Sequence, residues 1–291
     1  MSDVVWLGGT SKNPAIDANW EGGSKPADGD TAIFNDQAQQ GCDGADLSTG
    51  GVTVAVIVEE NFIYEIGSVG TPLQWSGFTL LYFGGNGTSS SYFGLGATSP
   101  TDFDHVIVDS PSAKSDIVVV SGTIAKWTNR RGKASIDSSA TVSSGGRIEV
   151  LGTAGGLPSE LTIPSGVTVT GTITSVDGGK VTAGASTPTV YLDSGEFVLD
   201  GTAGIGTRLE QKGGTFYWDA KSTIALAEVR GGVFKSRKNR VSRTMTEMWM
   251  YGDAVVDFRQ GGLNTTFTAG IRVCGANQPM MPRGTKFSFA I

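Results

Sequence analysis

Six short segments of this 291-residue chain share one pattern: a small residue, a glycine, any residue, then apolar residues at alternate positions. They read GGRIEV at 145–150, GGKVTA at 178–183, SGEFVL at 194–199, GGTFYW at 213–218, GGVFKS at 231–236 and YGDAVVDF at 251–258. Their marker glycines are Gly146, Gly179, Gly195, Gly214, Gly232 and Gly252, separated by 33, 16, 19, 18 and 20 residues. The long first interval contains SGVTVTGTIT at 165–174 and so holds two repeats, and SGTIAKW at 121–127 is a looser forerunner. Short strand, glycine turn, short strand at this period is what one coil of a β-solenoid requires. Strand alternation sends every second side chain inward. Ile148 and Val150, Phe197 and Leu199, and Phe216 and Trp218 are therefore expected to stack on the neighbouring coils. Glycine at each corner supplies backbone angles that residues with a Cβ avoid. The reading is all-β, an irregular parallel β-helix with capping segments at both ends. A β-sandwich, which also has short strands between turns, is the alternative.

Composition supports the class. Glycine numbers 43, and charged residues make up only 17% of the chain. Interior helical glycine costs about 1 kcal/mol relative to alanine, which excludes a helical bundle. The 38% of hydrophobic residues argues against disorder. No apolar run reaches the roughly 18 residues that a membrane helix needs. The opening MSDVVWLGG lacks a basic region followed by an apolar run, so no secretory signal is expected. Cys42 and Cys274 stand far apart and read as small, unbridged side chains. With His105 the single histidine, neither a histidine metal site nor a Ser–His relay is expected, and no cofactor is implied.

Three stretches organise the chain: a cap at 1–60, a solenoid body at 61–258 and a C-terminal cap or contact segment at 259–291. Strands are expected within 54–66, 73–83 and 117–124, and RTMTEMWM at 243–250 reads as another. GGNGTSSSYFGLGATSP at 84–100 reads as an exposed loop or wide turn carrying Tyr92 and Phe93.

The net charge of −6 conceals an asymmetry. Residues 1–125 hold 15 acids against three lysines and no arginine, a net −12. Residues 126–291 hold 19 cations against 13 acids, a net +6. Such a molecule can attract its own copies or steer onto a charged partner. Lys235, Arg237, Lys238, Arg240 and Arg243 place five cations within nine residues. The acidic N-terminal half, and the lack of a recognisable binding motif, argue against nucleic acid. The cluster reads as a protein-contact patch, joined by Tyr92 and Phe93. No membrane partner is expected.

The stretch WLGGTSKNPAIDANWEGGSKPADGDTAIF at 6–34 carries a resemblance. Trp6, Gly8, Gly9, Asn19, Trp20, Pro26, Gly29, Asp30, Ala32 and Phe34 match the W-x-G-G … N-W … P-x-x-G-D-x-A-x-F opening of β-helical autotransporter passengers and related phage structural proteins. The resemblance covers about a tenth of the chain. It implies a solenoid cap in which Trp20 and Phe34 pack inside and the Pro26–Asp30 turn leads into the first coil. With no export signal or translocator barrel in view, the closer likeness is to phage virion components. β-Helical proteins recur there as capsid decoration proteins, head fibres and tailspikes, commonly as trimers. The expectation is a non-enzymatic decoration (cement) protein on the capsid surface, assembled in the host cytoplasm, homotrimeric, with the major capsid protein or other virion proteins as partners. A tail fibre or spike that binds host glycan is the alternative, and a glycan-cleaving enzyme comes behind it.

Glycoside hydrolysis needs two carboxylates about 5 to 10 Å apart, which acids on adjacent coils about 4.8 Å apart could provide. Asp193, Glu196 and Asp200, flanked by Asp177 and Asp219, fall near successive corners and read as solvated turn acids. No acidic cluster adjoins Arg208 or Arg230 in the sequence, which disfavours a lyase. DFDH at 102–105 reads as a turn with an exposed histidine. Tyr191, Tyr217 and Trp218 fit sugar stacking or core packing equally. No phosphate loop follows GGNGTSSS.

Overall fold

The computed structural model describes residues 2–87, 90–97, 102–111, 116–119, 122–152, 159–170, 173–238, 241–259, 265–275 and 279–280. Within them every strand-to-strand pairing is parallel, which excludes the β-sandwich and gives a β-solenoid of about ten turns.

The first sheet has thirteen rungs: β1 (Asp3–Val5), β2 (Thr31–Phe34), β3 (Thr53–Val58), β5 (Gly77–Phe83), β8 (Val106–Asp109), β10 (Thr123–Ile136), β11 (Thr141–Leu151), β14 (Ile173–Asp177), β16 (Thr187–Leu192), β18 (Ile205–Gln211), β20 (Thr223–Val229), β22 (Arg243–Tyr251) and β24 (Thr265–Cys274). The second has ten: β4 (Leu73–Trp75), β6 (Ser91–Leu95), β9 (Asp116–Val119), the C-terminal part of β10, β12 (Ser159–Ile163), β15 (Lys180–Ala183), β17 (Glu196–Leu199), β19 (Thr215–Trp218), β21 (Val233–Lys235) and β23 (Val255–Asp257). Two short strands, β7 (Asp102–Phe103) and β13 (Thr168–Val169), lie beside β8 and β14 in the first sheet.

The interior is a set of in-register stacks. In the second sheet Val181, Phe197, Phe216, Phe234 and Val256 align rung on rung, all essentially buried. The Phe197 and Phe216 rings stack at 5.5 Å, and those of Phe216 and Phe234 at 5.0 Å. Each such ring removes apolar surface worth roughly 1.5–3 kcal/mol from water. Two polar side chains also point inward. The Asn129 amide donates to the Gly132 and Glu160 carbonyls, and the Gln211 amide to those of Gly214 and Val233, satisfying corner carbonyls that would otherwise be buried without partners.

In the N-terminal segment Trp20 and Phe34 pack inside, both essentially buried. Trp6, Trp20, Phe34 and Phe62 form a chain of ring contacts at 5.1 to 6.2 Å across the first coils. Asn19, fully buried, accepts from the Thr10 and Ser11 amides and donates to Ser11 Oγ and the Asn13 carbonyl, so one side chain holds the whole loop. Asp30 caps the turn by accepting from the Ala27 amide.

Two boundaries differ from the sequence reading. The ladder starts at β1 and takes in β2 and β3, so 1–60 already contains the first coils. It continues through β24, beyond 258, because eight residues there pair with β22 in spite of the weak glycine signal. The stretch 84–100 is corrected as well: Ser91–Leu95 is strand β6, and Phe93 is fully buried against β4 in the second sheet. Tyr92, next to it, is half-buried on the outer side. Cys42 is buried, Cys274 exposed, and both are free thiols.

The corner glycines explain the sequence rhythm. Gly195, Gly214 and Gly232 have φ of 82°, 64° and 71°, and each lies directly over the corner backbone of the preceding coil. A Cβ at Gly214 would sit 2.5 Å from the Gly195 carbonyl oxygen, whereas one at Gly201 (φ 64°) would meet nothing within 4 Å. Gly201→Ala is therefore expected to cost only the left-handed penalty, ~1 kcal/mol. Gly214→Ala should cost a further ~1–3 kcal/mol for the forced displacement of packed backbone. Urea denaturation of both variants checks this; equal losses would contradict the corner-stacking account.

Candidate functional site: the outer faces of the two sheets

The outer face of the first sheet is organised by register. Val5, Ile33, Ile57, Tyr82 and Ile107 occupy one column on five successive rungs. None of the five belongs to the interior cluster, and the last four are half-exposed. Thr128 and Glu149 follow in the same column, and Tyr191, Glu210, Glu228, Trp249 and Arg272 continue it towards the C-terminal end. One strip is thus apolar at one end and charged and aromatic at the other.

In the charged part Arg208 and Arg230 share the same two glutamates. The Arg208 Nη2 lies 2.8 Å from carboxylate oxygens of both Glu210 and Glu228. Arg230 reaches Glu228 at 3.2 Å and Glu210 at 3.7 Å. Arg208–Glu210 and Arg230–Glu228 are two residues apart in the chain, whereas Arg208–Glu228 and Arg230–Glu210 join adjacent coils, a neighbourhood that a linear reading does not reveal. Beyond this grid, the guanidinium groups of Arg230 and Arg272 lie over the Tyr251 and Trp249 rings at 5.1 and 5.3 Å.

The acids weighed for glycan chemistry are committed to local partners. Asp193 pairs with Lys212 at 3.1 Å, and Glu196 with Lys180 at 3.0 Å. Asp177 accepts from Ser194 Oγ, Asp200 pairs with Lys238, and Asp219 with Arg237. On the second sheet Lys133, Glu160, Lys180 and Glu196 alternate in charge up one column, a cross-strand pattern that stabilises the stack modestly.

The basic cluster is mostly bound into the fold rather than forming a free patch. Arg237 donates from its backbone amide and from Nε to Asp219, which is 5% exposed, and its guanidinium stacks 3.6 Å from the Tyr217 ring centroid. Lys238 pairs with Asp200, whose carboxyl this contact holds below the usual range. Arg243, 2% exposed, donates to the Val241 and Lys238 carbonyls and lies near the Trp218 ring. Lys235 is half-buried on the outer side of β21. Arg240 lies outside the described residues. The reason is positional: Asp200, Asp219 and Arg237 fall at the same corner of successive coils.

His105 is half-buried rather than exposed, and shares a 3.0 Å hydrogen bond with Thr128 Oγ1. That hydroxyl donates its one proton to Glu149 Oε2 at 3.3 Å, so it accepts from the histidine and Nε2 carries the ring proton. This polarity is the reverse of a histidine base activating a hydroxyl nucleophile. Among the described residues no group of three or more His, Cys, Asp or Glu is arranged to hold a metal ion, and no helix is long and apolar enough to cross a membrane.

No protein-family model, no curated protein and no solved structure matches this chain.

Burial, reinforced by Lys126, holds the His105 imidazole below its ordinary range. The unfolded chain takes up a proton as the pH falls through about 6.5, and the folded chain resists it. Stability present above that pH is therefore lost on acidification towards the folded-state value. Wild type should lose thermal stability as the pH falls below about 6.5. In His105→Gln, which keeps a donor for Thr128, melting temperature should be flat across that range. An unchanged slope in the variant would show that another group is responsible.

Proposed function

We propose that this protein is a non-catalytic structural component of a phage virion, a capsid decoration protein that braces the shell through the outer face of its first sheet. The observation that supports this most is the column of Ile33, Ile57, Tyr82 and Ile107, half-exposed on four successive rungs and continued by the buried Val5. Contiguous apolar surface open to solvent is characteristic of protein-contact sites. The backbone ladder makes the face stiff, so binding loses little conformational freedom, and the Arg–Glu grid beyond the apolar rungs supplies registration. The virion setting rests on the likeness of residues 6–34 to phage and autotransporter solenoid openings. The absence of catalysis rests on the committed state of the carboxylates weighed above. A homotrimer would bring three such faces together, with the major capsid protein or other virion proteins as further partners.

A fibre or spike that binds surface glycan is the second reading, favoured by the half-exposed Tyr191, Trp249 and Tyr251 along the same strip. Light scattering and co-sedimentation separate the two. The decoration reading expects a trimer of about 90 kDa from chains of 30.2 kDa, pelleting with capsids. Ile57→Lys and Ile107→Lys should weaken that association by at least about tenfold. Because both positions face outward, the fold should keep its stability within about 0.5 kcal/mol. Pelleting with host envelope and not with capsids would favour the fibre. A monomer that binds neither would overturn both.

A further inference from the structure

The second sheet carries a cleft of about 290 Å³ walled by Tyr217, Lys235, Ser236, Arg237, Asp257 and Arg259. Its size is at the lower end of small-molecule sites, roughly 300 Å³ and upward, and larger than a bare inorganic anion needs. Register places Tyr217, Lys235 and Asp257 side by side on β19, β21 and β23, while Ser236 and Arg237 begin the turn that leaves β21.

The hydrogen-bonding inventory of the walls is unbalanced towards donors. Arg237 uses Nε and Nη2 on Asp219, and Arg259 uses Nε and Nη2 on Asp257, so each guanidinium keeps Nη1 unspent. The Lys235 ammonium has no carboxylate partner among the described residues. Ser236, 2% exposed, stands in register between the inward-facing Trp218 and Phe258, so its hydroxyl belongs to the interior and not to the cleft. Three cations face two carboxylates, Asp219 and Asp257, which leaves one positive charge over.

We propose that this cleft is a binding site for a singly charged oxyanion, a carboxylate or sulfate ester, held by Lys235 and the Nη1 groups of Arg237 and Arg259. The site lies on the second sheet and does not depend on the contact role proposed for the first. The anion arrives either free or as a substituent of a saccharide, and the cleft volume favours the latter.

Equilibrium dialysis with labelled inorganic sulfate at fixed ionic strength, paired with melting curves over the same titration, tests this. Wild type should bind one equivalent saturably and gain thermal stability with sulfate. Lys235→Gln and Arg259→Gln should each lose about tenfold in affinity, whereas Lys212→Gln, a control at another ion pair, should match wild type. A sulfated disaccharide binding about tenfold tighter than sulfate would identify the saccharide source, and equal affinities a free anion. Absence of saturable binding, or binding unchanged in both Lys235→Gln and Arg259→Gln, would overturn the proposal.

Discussion

Parallel backbone pairing from coil to coil is the constraint on which everything else in this molecule depends. It fixes each residue directly above its counterpart one turn earlier, so a side chain acts as a member of a column. Inside, columns must stack without voids, and Phe197, Phe216 and Phe234 do so ring upon ring. At the corners, columns bring backbone against backbone, and glycine is the residue that fits. Outside, columns determine which charges and which apolar groups become neighbours.

The same rule explains why the chain's chemistry differs from what linear proximity suggests. Five cations within nine residues look like a patch, yet Arg237 and Lys238 are drawn to Asp219 and Asp200, 18 and 38 residues earlier. Arg208 and Arg230 each stand two residues from one glutamate, and each also meets the other's glutamate across adjacent rungs. The partner that the linear sequence hides lies one or two coils away. What remains unspent after this pairing is small and well defined: an apolar strip on the first sheet and a donor-rich cleft on the second.

The fold was legible because the coils of the C-terminal half are short and nearly regular, so Gly195, Gly214 and Gly232 recur at the same corner. The inward packing of Trp20 and Phe34 in the N-terminal segment was legible, and both fill buried positions. The apolar column was not, because Val5, Ile33, Ile57, Tyr82 and Ile107 lie 28, 24, 25 and 25 residues apart, on longer coils that lack the glycine marker. Phe93 was misplaced for a related reason: a five-residue strand among glycine and serine resembles a loop until β4 provides its neighbour. Lys235 and Arg259 could not be assigned to one cleft from the sequence, since only the stacking of β19, β21 and β23 brings the walls together.

Hydroxyl-radical footprinting of the free chain and of the chain assembled on its partner would test most directly that the outer column of the first sheet is the working surface. The account predicts that oxidation of Ile57, Tyr82 and Ile107 falls on assembly while that of Tyr92 and Tyr217 on the second sheet is unchanged. Protection confined to the second sheet, or none at Tyr82 and Ile107 in a stable assembly, would contradict it.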